Sequence, residues 1–221
     1  AGFTLSAPIL LPSVGEVISE RAGIVNIGIE GYMMTGAIIS YLAAYATNNI
    51  FLAACLGMLA AVAVSMIHGY LTISLGSSQL LSGIGINIFA AGLSVILYRE
   101  TIFKYVAFTP KVQMLATITV PVLSKLPVLG PIVFQHNLLV YIGILMAVVS
   151  WFFLYRTYFG LTIRAVGEDP LTVDASGLNP TFIRYAALML GASLAGLGGA
   201  YLVLAHLGWF VPGMTAGRGF V

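Results

Sequence analysis

Long runs of apolar residues alternate along this chain with short clusters of charge, proline and glycine. A helix rising 1.5 Å per residue needs about 20 apolar residues to cross about 30 Å of hydrocarbon. Residues 24–47, 50–67, 80–98, 138–155 and 182–205 approach that length, and residues 3–14 read as a sixth, shortened run. None shows the period-2 alternation of a barrel strand, so the backbone has to satisfy its own polar groups in helices. The pattern predicts an all-α, polytopic helical membrane protein, with residues 1–221 as one transmembrane domain.

Two connections are long. Residues 99–137 carry Arg99, Glu100, Lys104, Lys111 and Lys125, with prolines at 110, 121, 127 and 131 that interrupt any spanning helix. Residues 156–181 carry Arg156, Arg164, Glu168, Asp169 and Asp174. One span separates the two loops, so they lie on opposite sides of the membrane. Positive charge divides between them: the first loop is more basic, while Arg156 and Arg184 sit closer to span ends, and the charge rule leaves orientation open.

The second loop carries the signals of a short capped helix. Gly167 closes one helical segment, Asp169 is placed as an N-cap with Pro170 at the first helical position, Asp174 lies within, and Gly177 stops the turn. Asn179 and Pro180 then start the next span. A helix this short is marginal alone and requires something to dock on, unless the stretch is only a solvated connector.

Within the spans, Asn26 and Glu30 are four apart and share a helix face. A carboxylate in an apolar run is costly, and the flanking Gly28 and Gly31 suit a broken segment lining a polar cavity. The alternative is a carboxylate near the interface, paired with Arg21 or capped by helix-end amides. Gly83, Asn87 and Ala91 form a stripe at four-residue spacing, as do Gly191, Ala195 and Gly199, and such stripes let helices approach closely. Asn87 is the polar exception. The span 138–155 has one thin stripe, Gly143, Ala147 and Ser150, so most of its surface is expected to face lipid, with Trp151, Tyr155 and Tyr158 at the interface.

Composition narrows the function. The chain is 60% hydrophobic and 7% charged, with a mean hydropathy of +1.04, which excludes a water-soluble globule. A formal charge of +2 with scattered basic residues excludes a nucleic-acid partner. Cys55 stands alone, and His68, His136 and His206 have no companions at ligand spacing, so no metal site is expected and each histidine is read as interfacial or in a loop. The glycine clusters lie inside apolar spans and fit neither a Walker nor a dinucleotide spacing, so the chain is expected to bind no ATP or other cofactor itself and to be no enzyme. The opening residues lack a basic region and a cleavage site, and a start at Ala1 reads as a clipped span.

Several stretches, in order, carry a resemblance: SERAGIVNIGIEGYMMTGA, LPVLGPIVF, GLTIRAVGEDPLTVDASGLNP, LAGLGGAYLVL and GWFVPGMTAGRGF. Together the chain resembles the permease subunits of bacterial ABC importers, nearest to the nucleoside and simple-sugar uptake group, within the wider set of ribose and branched-chain amino acid permeases. The resemblance implies a multi-pass protein of the bacterial cytoplasmic membrane that forms a pathway with a second permease subunit. It also implies a cytoplasmic ATP-binding subunit and an extracytoplasmic substrate-binding lipoprotein as partners. The loop 156–181 would be cytoplasmic, with Gly160, Arg164, Gly167, Glu168, Asp169, Asp174 and Gly177 in the coupling helix region, and 99–137 extracytoplasmic. Asn26, Glu30 and Asn87 would supply the polar side chains of the pathway, and Gly191, Ala195 and Gly199 its helix packing. Relatives continue past GRGF, so the chain is expected to be a fragment lacking C-terminal spans. Other classes remain open: a branched-chain amino acid permease, an ion-coupled secondary transporter using Glu30, or a membrane scaffold.

Overall fold

The computed structural model describes residues 2–106, 109–119 and 135–220. Helix α1 covers Gly2–Arg21, α2 Ile29–Thr47, α3 Ile50–Gly69 and α4 Gln79–Tyr98. Wider π turns extend α3 through Tyr70–Ser74 and α4 through Arg99–Phe103. Strands β1 (Thr117–Thr119) and β2 (Gln135–Asn137) pair antiparallel, with Ile118 opposite His136. Then come α5 (Leu138–Arg156), α6 (Tyr158–Glu168), α7 (Pro170–Ala175) and α8 (Pro180–Tyr201), the last extended by a π turn over Leu202–Leu207.

Side-chain caps set several of these starts. The side-chain oxygens of Asn49, Ser78, Thr157 and Asn179 accept hydrogen bonds from the backbone N–H groups of Leu52, Leu81, Gly160 and Phe182, which satisfies donors that a helix start leaves free. Among the described residues four helices are long and apolar enough to span a membrane: Ile50–Ser74, Gln79–Phe103, Leu138–Arg156 and Pro180–Leu207. They match four of the expected runs, and three of them end in a π turn.

The remaining two expectations need correction. The run 24–47 is not one helix: α2 begins only at Ile29, and residues 22–28 turn away from α1. Glu30, Thr35, Ser40 and three tyrosines dilute its apolar character, yet most of its side chains are buried, so neighbouring helices shield it from lipid. The run 3–14 extends instead to Arg21, because Pro8 and Pro12 are tolerated inside α1. The loop expected from residue 99 starts after Phe103, since the π turn carries α4 onward. Lys125 and the prolines at 121, 127 and 131 lie outside the described residues. His68 is neither interfacial nor in a loop: it is fully buried on α3, its ring edge-on to Tyr32.

α8 occupies the centre. Of its most apolar stretch 83% is buried, against 28% for α5. It reaches that position through small residues on several faces. A Cβ on Gly191 would overlap the Ser19 hydroxyl of α1, one on Gly196 would overlap Ala61 of α3, and one on Gly199 would overlap the Met33 carbonyl of α2. Ala195, 1% exposed, joins the cluster that includes Met33, Ala37 and Ala61. Backbones can come this close only without side chains between them. On the outer face of α5, by contrast, Leu145, Val148, Trp151 and Phe152 are exposed, as a lipid-facing helix requires.

Enlarging the centre should be costly. Ala195→Leu inserts three heavy atoms into a filled interior, and overpacking of that kind costs about 1–3 kcal/mol. The expected result is a lower melting temperature in detergent and less assembled protein; unchanged melting would place this face against lipid.

Candidate translocation and coupling sites

The turn between α1 and α2 leaves backbone polar groups without helical partners, and side chains from two helices meet that need. Gly23 takes φ +79° and ends α1: its N–H bonds to the Glu20 carbonyl, and the Ile24 N–H to the Ser19 carbonyl. Beyond it, Gln79 accepts from the Val25 N–H at 2.8 Å and donates to the Gly23 carbonyl at 3.3 Å. Glu16 Oε1 accepts from the Asn26 N–H at 2.9 Å, and Asn26 Oδ1 from the Gly28 N–H at 3.2 Å. Asn87 completes the series by donating to the Ile27 carbonyl at 2.8 Å and accepting from the Gly31 N–H at 2.7 Å. Gly83, between Gln79 and Asn87 on α4, lies against Ile27 and Gly28.

Glu30 faces another partner. It is 7% exposed, and its carboxylate receives three donors from the chain that follows α8: the Thr215 hydroxyl at 2.5 Å, the Gly217 N–H at 2.8 Å and the Gly219 N–H at 2.8 Å. Of the two alternative partners, Arg21 lies instead over the Tyr155 ring, and backbone amides meet the carboxylate. The segment 208–220 runs back along α2: Phe210 packs on Tyr41 and Tyr98, and Thr215 reaches Glu30, eleven residues or about 16 Å of helix from Tyr41. Arg218 folds over the turn and donates to the carbonyls of Met214 and Thr215 at 2.8 and 3.1 Å.

Between this returning segment, α1 and the α1–α2 turn lies a cavity of about 390 Å³ whose polar lining includes Ser13, Glu16, Glu20, Asn26 and Arg218. Asn26 reaches it directly. Glu30 holds the wall that Gly219 contributes, and Asn87 holds the turn from the side of α4. All three bond to the backbone of this chain with their polar atoms. Glu16, Gln79 and Thr215 join the site in addition to the residues expected from sequence. Gln79 was within reach, since it extends the Gly83–Asn87 stripe back by one turn; Thr215 bears no periodic signal at all.

At the same end of α1, beside the turn, α6 is laid across the bundle. A Cβ on Gly160 would overlap the Phe153 carbonyl of α5, and one on Gly167 would overlap the Arg21 carbonyl of α1. Ile163 and Val166 are buried on the same side. Asp169 ends α6 and starts α7, accepting from the Leu171 N–H at 3.0 Å and the Thr172 hydroxyl at 2.5 Å. The Thr172 hydroxyl, then the backbone N–H groups of Thr172 and Leu171, hold its carboxyl below the ordinary Asp value. Gly177, at φ +81°, closes α7 as Gly23 closes α1: its N–H bonds to Asp174 and the Leu178 N–H to Val173. Val173 is the one buried side chain of α7, and Leu171 is 80% exposed. Asp174 and Glu168 are exposed; Arg164 is half-buried, its guanidinium 5.0 Å from the centre of the Tyr155 ring.

The Glu30 bonds can be tested directly. Each hydrogen bond to a buried charge is worth about 1.5–3 kcal/mol, so Glu30→Ala should lower the melting temperature and open residues 208–220 to protease. Glu30→Gln, which keeps one acceptor, should fall between the two. Equal melting of all three proteins would mean the carboxylate does not hold the segment.

The family of branched-chain amino acid transport system permease components matches residues 1–220. The putative glucose ABC transporter permease protein TsgC13 of Haloferax volcanii is 38% identical over 96% of this chain and 64% of its own length. The nucleoside ABC transporter permease protein NupC of Lactococcus lactis subsp. cremoris is 35% identical over 98% of this chain and 70% of its own. The guanosine ABC transporter permease protein NupQ of Bacillus subtilis is 36% identical over the whole chain and 71% of its own. The chain thus spans about two thirds of the length of these relatives. No solved structure matches. With its spanning helices packed on a glycine-lined centre and a family match over nearly every residue, the chain belongs to the branched-chain amino acid transport system permease family and is a multi-pass helical membrane protein.

Proposed function

We propose that this chain is the permease part of an ATP-driven ABC importer that carries nucleosides or simple sugars. The family match supports the class, and the relatives named for glucose, nucleosides and guanosine support the cargo over branched-chain amino acids. The observation that carries the reading is α6–α7: a pair of helices braced on α1 and α5, fixed at both ends of α7, with an unburied leucine at its tip. Such a rigid element passes on movement, where a loop that bends would dissipate it. A partner ATPase hydrolyses ATP and pushes on α7; Gly167, seated on Arg21, passes the push to α1 and to the turn that Asn26, Glu30 and Asn87 hold. These three shape the polar wall of the pathway. A second permease subunit completes it, and an extracytoplasmic lipoprotein delivers substrate. The engagement of Glu30 by three donors of its own chain weighs against its service as the proton site of a secondary transporter.

In this reading residues 156–181 are cytoplasmic and 99–137 face outward. Impermeant thiol reagent on intact cells should therefore label Lys111→Cys and spare Leu171→Cys; the reverse pattern inverts the topology.

Function is tested in proteoliposomes holding the full-length chain and all partners. Uptake of guanosine or glucose should require ATP, and leucine should not compete. Gly177→Val places a branched side chain at positive φ, at a cost above the roughly 1 kcal/mol of an ordinary glycine replacement. Gly177→Val, Glu168→Lys and Arg164→Glu should each leave ATP hydrolysis running while uptake falls severalfold. Normal uptake by all three variants would reduce α7 to a connector, and leucine competition would reassign the cargo.

A further inference from the structure

Where α1, α5 and α6 end together, four charged side chains surround one cavity. It holds about 310 Å³ and is lined by Glu20, Arg21, Arg164, Gly167 and Glu168. The two cations share one ring: the guanidinium groups of Arg21 and Arg164 lie 5.8 and 5.0 Å from the centre of Tyr155 of α5. Among the described residues the one ion pair is Lys104–Glu100, so neither arginine is neutralised by a carboxylate within 4 Å. Arg164 Nε is buried with no hydrogen-bond partner. Arg21 is exposed and solvated, so the unmet need is that of Arg164, whose buried Nε lacks an acceptor.

The surroundings indicate what kind of molecule brings that anion. Tyr155 ends the outer face of α5, where Leu145, Val148, Trp151 and Phe152 are exposed in succession. Trp151 lies 6.4 Å from Tyr155, ring centre to ring centre, an aromatic pair suited to the membrane–water boundary. The arginines that line the cavity thus reach a ring at the end of a surface suited to acyl chains. Its other lining groups, Glu20 and Glu168, are exposed carboxylates. A purely anionic group would be attracted by the two arginines and repelled by the two carboxylates.

We propose that this cavity seats the headgroup of a zwitterionic aminophospholipid, with the phosphate at Arg21 and Arg164, the ammonium toward Glu20 and Glu168, and the acyl chains along α5. Guanidinium groups match phosphate oxygens in a fork, and a primary ammonium offers three donors to carboxylates. A trimethylammonium headgroup has no such donors, and a glycerol headgroup has no cation. The lipid would join the ends of three helices at the point where α6 rests on α1. The inference needs α5 as a lipid-facing span and is independent of the cargo proposed above.

The test uses the full-length chain with its partner subunits in nanodiscs of phosphatidylcholine, alone or with phosphatidylethanolamine or phosphatidylglycerol. The lipid retained after detergent extraction is counted by mass spectrometry, and melting is followed in each disc. Phosphatidylethanolamine should be retained about tenfold over the other two and raise the melting temperature by about 2–4 °C. Arg21→Gln with Arg164→Gln should abolish both effects, and Glu20→Gln with Glu168→Gln should remove the preference over phosphatidylglycerol. Tyr155→Leu, which leaves all four charges, should weaken retention even where a double variant fails to fold. Equal retention of the three lipids, a preference for phosphatidylglycerol, or retention unchanged in the arginine variant would overturn the proposal. So would the same melting shift from soluble phosphoethanolamine, which would remove the lipid as the source. Loss of ATPase docking in the arginine variant without any lipid dependence would give the cavity to a protein partner instead.

Discussion

The contact of helix backbones along α8 is the constraint from which the rest of the molecule follows. Water does not drive one apolar helix onto another inside a bilayer, so close packing has to supply the attraction, and packing improves as the axes approach. Gly191, Gly196 and Gly199 let α8 touch α1, α3 and α2 on successive faces. Those three are thereby arranged around a common axis, and α4 and α5 are left at the periphery with much of their surface exposed. A central helix built of small residues gives up side-chain volume. Its neighbours return it, with Tyr32, Met33, Tyr41 and Leu11 among the largest buried side chains.

Polar groups occupy the positions that this arrangement leaves inside. The turn from α1 to α2 connects two helices held close by α8, and its irregular backbone needs protein partners for the polar groups that no helix satisfies. Gln79 and Asn87 on one side and Glu16 on the other supply them. The same logic applies to Glu30, whose charge is met by two amides and a hydroxyl instead of a cation. Amide donors suit this place because they come with the backbone and carry no net charge that would itself need a counter-ion.

How much of this is legible in sequence depends on the range of the interaction. Spans appear in the sequence because lipid selects continuous apolar runs, and the caps at Asp169, Gly177 and Asn179 because each bonds within a few residues of itself. The small-residue stripe on α8 is visible as spacing, although not which helix each glycine meets. The start of α2 is not legible locally, because Ile24 and Val25 are apolar like any span residue, while the turn is held by Gln79, more than fifty positions away. His68 looked like an interfacial residue because no local rule reveals that Tyr32 will cover it. Thr215, Gly217 and Gly219 look like an ordinary polar loop, and only the return of the chain along α2 gives them a carboxylate to bind.

The distance along the chain between Glu30 and its donors bears on how the protein is made. They lie 185 to 189 positions later, and a ribosome adding about 5–20 residues per second needs on the order of 10–40 s to reach them. For that interval the carboxylate waits beside the membrane-insertion machinery without its final partners, on a helix whose composition alone does not qualify it as a span. α2 can settle in its place only when α8 has arrived to cover it and the following segment has come back to Glu30, so the second helix to be synthesised is among the last to be finished.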